Sequence, residues 1–136
     1  MKPWHPKVLP DEWRKRRIFI HRAFAIGDTQ EFIVDLPVAI PNVVFVNYSV
    51  SNVANNLLSI SELNNSLTET GVPYWRAIWG AYQMNGIPSG LPDQLMTPTT
   101  IKRLHLRVLD LDGKVINGTS PWLPEFAVEL EFWTRG

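Results

Sequence analysis

The chain has 136 residues, 45% of them apolar and 19% charged, with no Cys and a formal net charge of zero. That length suits one domain with its own core, and the composition is not that of a disordered chain. The lack of Cys excludes a disulfide framework, a thiol nucleophile and Cys-based zinc sites, and no apolar run approaches the ~20 residues that span a bilayer.

Residues 1–16 read as an extended arm. Pro3, Pro6 and Pro10 oppose a regular helix or a central strand, and the opening MKPWHPKVLPDEW carries Pro and charge where a secretory leader would be apolar. Trp4 and Trp13 need a surface to bury against, either the chain's own body or another subunit. Charge is uneven. Residues 1–22 hold seven basic groups against Asp11 and Glu12, a balance of +5, and residues 23–136 carry the compensating −5. Such an arm suits an acidic neighbouring subunit or nucleic acid, or is simply solvated.

From Arg17 the pattern is strand-like. Residues 17–26 are rich in β-branched and aromatic types, and Gly27-Asp28 supplies a turn. In residues 31–36, Phe32, Val34 and Leu36 alternate with Ile33 and Asp35. Pro37 and Pro41 interrupt the ladder. Residues 42–50 form the next strand, with Val44, Val46 and Tyr48 or their neighbours facing a core. LLSI at 57–60 reads as a short strand. Residues 60–68 hold the one expected helix, with Ile60, Leu63 and Leu67 at helical spacing and Ser59 or Ser61 as cap. Residues 74–84 read as a strand, with Trp75 and Trp79 on a face that fills the core.

Residues 85–100 read as a long contact loop. Residues 101–109 then place Leu104, Leu106 and Val108 inward and Arg103, His105 and Arg107 outward. Residues 125–133 place Phe126, Val128, Leu130 and Phe132 inward and Glu129, Glu131 and Trp133 outward. Pairing of these two strands would bring Arg103 and Arg107 near Glu129 and Glu131. The expected architecture is all-β: an antiparallel β-sandwich, jelly-roll-like, of seven or eight strands over 17–136, with one short helix and the extended arm.

No catalytic pattern emerges. His5, His21 and His105 lack metal-ligand spacing, and neither a phosphate-binding loop nor a nucleophile elbow occurs. Asp110-Leu-Asp112-Gly113 resembles the start of a calcium loop, but Pro121 stands where the closing Glu is needed. It reads as a β-turn with Gly113 at positive φ. No enzymatic activity and no cofactor is expected.

The segment Leu104–Phe132 resembles the closing segment of small virion proteins from double-stranded DNA viruses of the double-jelly-roll capsid lineage and their transposon-like relatives. Asp110, Asp112 and Gly113 match the turn of that segment, and Phe126, Val128, Leu130, Glu131 and Phe132 match its last strand. Phe32–Ser51, with its Ile40-Pro41-Asn42 step, and the Asn-rich stretch Asn55–Leu67 are similar to earlier parts of such chains. The resemblance implies a jelly-roll-like minor capsid, penton or vertex subunit without catalytic residues, located in the virion and assembled in host cytoplasm or nucleus. Its partners would be other capsid subunits, in a homo-oligomer, with nucleic acid a further partner for the arm and no membrane span. Candidate assembly contacts are Trp4, Trp13, Arg14, Lys15, Arg16, Arg17, Leu91, Trp122 and Trp133. A carbohydrate- or receptor-binding sandwich of a fibre or tail, using Trp79 or Trp122, is the alternative function. Nucleic-acid binding through the arm is the second.

Overall fold

A computed structural model of the chain describes residues 13–25, 27–51, 55–78, 92–117 and 125–135. Eight strands follow in chain order: β1 (Trp13–Ala23), β2 (Glu31–Ser51), β3 (Asn56–Ile60), β4 (Ser66–Leu67), β5 (Pro73–Tyr74), β6 (Arg76–Ile78), β7 (Asp93–Leu109) and β8 (Glu125–Arg135). Six form one antiparallel sheet in the order β1-β8-β2-β7-β3-β6, and β4 and β5 form a two-stranded sheet. The fold is all-β and jelly-roll-like. No helix occurs among the described residues, so none there is long and apolar enough to cross a membrane.

The large sheet curls because β2 changes partners along its 21 residues. Its first part pairs with β7, from Glu31↔Arg107 to Asp35↔Arg103. Its second part pairs with β8, from Val43↔Thr134 to Ser51↔Ala127, and keeps β7 on its other side only as far as Val46↔Asp93. Between them the β2–β7 register shifts after Asp35, after Ile40 and after Val43. Pro37 and Pro41 fall in those gaps, where no ladder N–H is needed, and Asn42 takes φ 55°. The two prolines thus interrupt the ladder, as expected, yet the backbone stays extended. One bent strand replaces the two expected.

Curling brings the two halves of the sheet face to face. Phe32 of β2 meets Phe126 of β8 with ring centroids 6.3 Å apart, and Tyr48 of β2 meets Trp75, between β5 and β6, at 5.3 Å. The core between them is aliphatic and aromatic. Leu104, Leu106 and Val108 of β7 and Phe126, Val128, Leu130 and Phe132 of β8 are all buried, as their alternation predicts. In β2 the buried set is Leu36, Ile40, Val43, Val46, Tyr48 and Val50, with Val44 only half-buried.

Several sequence expectations are corrected. Residues 61–63 make a single turn instead of a helix over 60–68. Asn64 ties it back to the end of β3: its Oδ1 accepts from the Ile60 N–H at 2.9 Å and its Nδ2 donates to Ser59 Oγ at 2.9 Å. Residues 93–100, read as part of a loop, open β7 by pairing Asp93 with Val46, Gln94 with Phe45 and Thr99 with Val43. Pro98 is tolerated because it sits in the register gap between the last two pairs. Trp13–Arg16, read as the end of the arm, are already ladder residues of β1 opposite β8. The arm's residues 1–12, the rest of the expected loop at 85–91, and the Trp79 end of the expected 74–84 strand lie outside the described residues.

The Asp110–Lys114 turn closes as expected. Gly113 N–H donates to the Asp110 carbonyl at 3.0 Å, and Asp110 Oδ1 accepts from the N–H groups of Asp112 at 2.9 Å and Lys114 at 3.0 Å. The carboxylate is turned onto its own backbone. Gly113 has φ 86°, and a Cβ there would lie 3.0 Å from Val72 Cγ2. Gly113→Ala therefore costs about 1–2 kcal/mol in urea titrations. Gly27→Ala costs less, because its added Cβ meets nothing within 4 Å. Equal losses at the two sites would contradict the part assigned to Val72.

Candidate functional site

Alternation along β1 divides its side chains between two faces, and pairing with β8 fixes which is which. Lys15, Arg17 and Phe19 stand opposite Trp133, Glu131 and Glu129, on the outer face, because the intervening β8 residues Phe132 and Leu130 are in the core. On β2 the same rows continue with Phe45, Asn47 and Ser49. Arg14 and Arg16 point to the other side, opposite Thr134 and Phe132, on the row that buries Ile20 further along. At their end of the strand both are exposed.

The outer face carries an aromatic cluster. Trp13 meets Phe45 edge-on at 5.2 Å between centroids, and Phe45 meets Trp133 at 5.8 Å. The Lys15 ammonium lies 4.4 Å from the centre of the Trp133 ring, a favourable cation–π distance. Trp133 Nε1 donates to Glu131 Oε1 at 2.6 Å. The other oxygen of that carboxylate accepts from Arg17, at 2.9 Å from Nε and 2.8 Å from a terminal nitrogen. The Arg17 side chain is 62% exposed and that of Glu131 17%, so this pair contributes only about 0.2–1 kcal/mol. Beside it lies an open hollow of about 210 Å³, lined by Arg17, Asn47, Tyr48, Ser49, Glu129 and Glu131. Phe19, one step along β1, is 68% exposed.

The structure thus gathers four sequence-predicted contacts, Trp13, Lys15, Arg17 and Trp133, on one face, and places Arg14 and Arg16 on the opposite side of the same strand. Trp4, Leu91 and Trp122 lie outside the described residues. Sequence reasoning missed Phe45. A register shift in the β2–β8 ladder between Val43 and Phe45 sends both Val44 and Phe45 away from the core, which simple alternation does not anticipate. Trp75 is 1% exposed and belongs to the core, as expected, and Lys15 covers a face of Trp133. Trp79 and Trp122, on which the sugar-binding alternative rests, lie outside the described residues.

The expected ion pairs are re-partnered. β7 and β8 flank β2 instead of pairing with each other. Arg103 Nε therefore meets Asp35 at 2.7 Å, and Arg107 Nε meets Glu31 at 3.2 Å. His105 Nε2 also reaches Glu31, at 2.5 Å. Among the described residues no group of three or more His, Asp or Glu side chains is placed to hold a metal ion.

In comparisons with known proteins, no family model and no curated protein matches the chain.

Proposed function

We propose that this chain is a non-enzymatic structural subunit of a virion, a minor capsid, penton or vertex protein that acts by assembling with other subunits. The observation that carries the reading is β1. It borders the six-stranded order, holds five cations and no anion in eleven residues, and displays Phe19 at its surface. A strand of that kind gains most from being covered by another protein, since edge strands and exposed aromatics are where chains add to one another. The jelly-roll-like fold agrees with the resemblance in the closing segment. In this reading the protein acts in the virion after assembly in host cytoplasm or nucleus, and the arm that precedes β1 adds contact area to the body's own face.

The test uses a deletion of residues 1–12, which spares every β1 residue. The full chain forms a defined homo-oligomer by light scattering and electron microscopy. The truncated chain keeps its β-type circular dichroism and stays monomeric. A truncated chain that assembles like the full one removes the arm from assembly. A full chain that remains monomeric at every concentration and enters no particle overturns the subunit reading.

A further inference from the structure

We propose that the outer edge of β1 takes up an acidic, extended segment of a different protein chain as an additional strand. This rests on the reading of the protein as an assembling subunit and names the chemistry of one partner.

One side of β1 is matched to β8 through an unbroken register from Trp13↔Arg135 to Ala23↔Glu125. No described strand flanks its other side. Near the end of the strand the Arg22 guanidinium donates to the His21 carbonyl at 2.9 Å, so the stretch open to a new strand is Arg14–Ile20. Strand addition supplies affinity through main-chain hydrogen bonds, and side chains at alternate positions supply selectivity.

Charge selects the occupant. β1 contains Arg14, Lys15, Arg16, Arg17 and Arg22 with no acidic residue, while the rest of the chain carries a balance of −5. Two copies of β1 laid edge to edge would set five cations against five, and like charges facing across a ladder are destabilising. The opposite edge of a second copy offers β6, three residues long, with Arg76 and no acid. Neither edge of the described six-stranded sheet suits β1. The occupant is therefore another chain with acidic residues.

The cations are also unequally committed. Arg17 is held by Glu131 and Lys15 lies on Trp133. Arg14 and Arg16 are exposed and have no ion-pair partner among the described residues. They share one side of the strand, two residues and so about 6.6–6.8 Å apart. An incoming strand meets them with carboxylates at positions i and i+2. On the other side it sets an apolar residue beside Phe19. Glu129 and Glu131 on the outer face, with the acidic remainder of the body, work against a polyanion such as DNA and in favour of a short acidic strand that contacts β1 alone.

The experiment uses the full-length protein with a fluorescent decapeptide of alternating Glu and Val, a Lys/Val decapeptide of the same pattern, and a 20-base-pair DNA duplex as competitor. The Glu/Val peptide binds, binding weakens with added salt, and amide hydrogen exchange slows within residues 14–20. R14E/R16E weakens capture at least tenfold and improves capture of the Lys/Val peptide, whereas R14K/R16K retains the Glu/Val peptide. Equal binding of both peptides to the unsubstituted protein, protection confined to other strands, or displacement of the peptide by DNA at lower concentration overturns the proposal. Light scattering on the same samples separates the two claims. An assembling protein indifferent to the peptide loses only the edge site. A protein that captures the peptide and never assembles loses the subunit reading.

Discussion

Replacing Trp75 by Ala costs about 3–5 kcal/mol of folding free energy in urea titrations. Among the described residues Trp75 is the largest fully buried side chain, at 1% exposed. Its ring meets Tyr48 edge-on at 5.3 Å, and the Arg76 guanidinium stacks on it at 5.2 Å. Its indole N–H is satisfied by Asp93 Oδ2 at 2.9 Å. Ala removes the filling between the two halves of the curled sheet and leaves a cavity that β strands locked in ladders cannot collapse into. Domains of this kind have about 5–15 kcal/mol of stability, so the loss consumes a large share of it and lowers the melting temperature by on the order of 10 °C or more. Trp133→Ala is the control. Trp133 is half-buried on the outer face, so its removal opens no internal cavity and costs about 1 kcal/mol. A loss below about 1 kcal/mol for Trp75→Ala would show that the two halves do not depend on this ring.

The sequence carries the fold class through period-two patterning, and it does so best where ladders are unbroken. β7 from Leu104 to Val108 and β8 from Phe126 to Thr134 hold strict alternation, and their inward residues are the buried ones. Legibility fails at the bulges. The gaps around Pro37, Pro41 and Val44 shift register by amounts that depend on which neighbour pairs, and a single sequence does not reveal the neighbour. The ion pairs show the same limit. Arg103 and Arg107 suit any facing strand with acids four residues apart or two apart. Glu31 and Asp35 supplied one such pattern, Glu129 and Glu131 another, and the topology chose the first. Residues 60–68 misled in a different way, since apolar spacing at Ile60, Leu63 and Leu67 suggests a helix, whereas Asn64 ties the turn back to β3 and Ser66–Leu67 pairs with β5.

The site was half legible for related reasons. Trp13, Lys15, Arg17 and Trp133 stand out by residue type, and alternation alone separates Arg14 and Arg16 from them. What composition does not show is that β8 lies between β1 and β2, which gives the tryptophans Phe45 as a bridge and gives Arg17 its carboxylate. It also does not show that β1 ends the strand order. That fact changes the meaning of its charge. On a central strand five cations would be a burden, whereas at an edge they crowd only one described neighbour, β8, and oppose direct pairing with a second β1.

Asp93→Ala is expected to cost about 2–3 kcal/mol, although the residue itself is only half-buried. Its carboxylate gathers three donors from two segments: Trp75 Nε1 at 2.9 Å and its neighbour Arg76 at 3.1 Å, and Asn65 Nδ2 at 2.7 Å. The Asp93 and Arg76 side chains are only 17% and 26% exposed, so water replaces these bonds poorly. The clamp ties the start of β7 to the β5–β6 link, which the two-residue β4–β5 sheet holds only weakly. Removing the carboxylate leaves the indole N–H of a buried ring without its acceptor. Trp75→Phe removes the donor instead and keeps most of the ring. Because both substitutions break one bond, the double variant Asp93→Ala/Trp75→Phe loses about 1 kcal/mol less than the sum of the singles. Asn65→Ala, at an exposed site, loses under about 1 kcal/mol. Additivity of Asp93→Ala and Trp75→Phe within about 0.3–0.5 kcal/mol would mean that the carboxylate acts through Arg76 and Asn65 and that the indole bond adds nothing to the clamp.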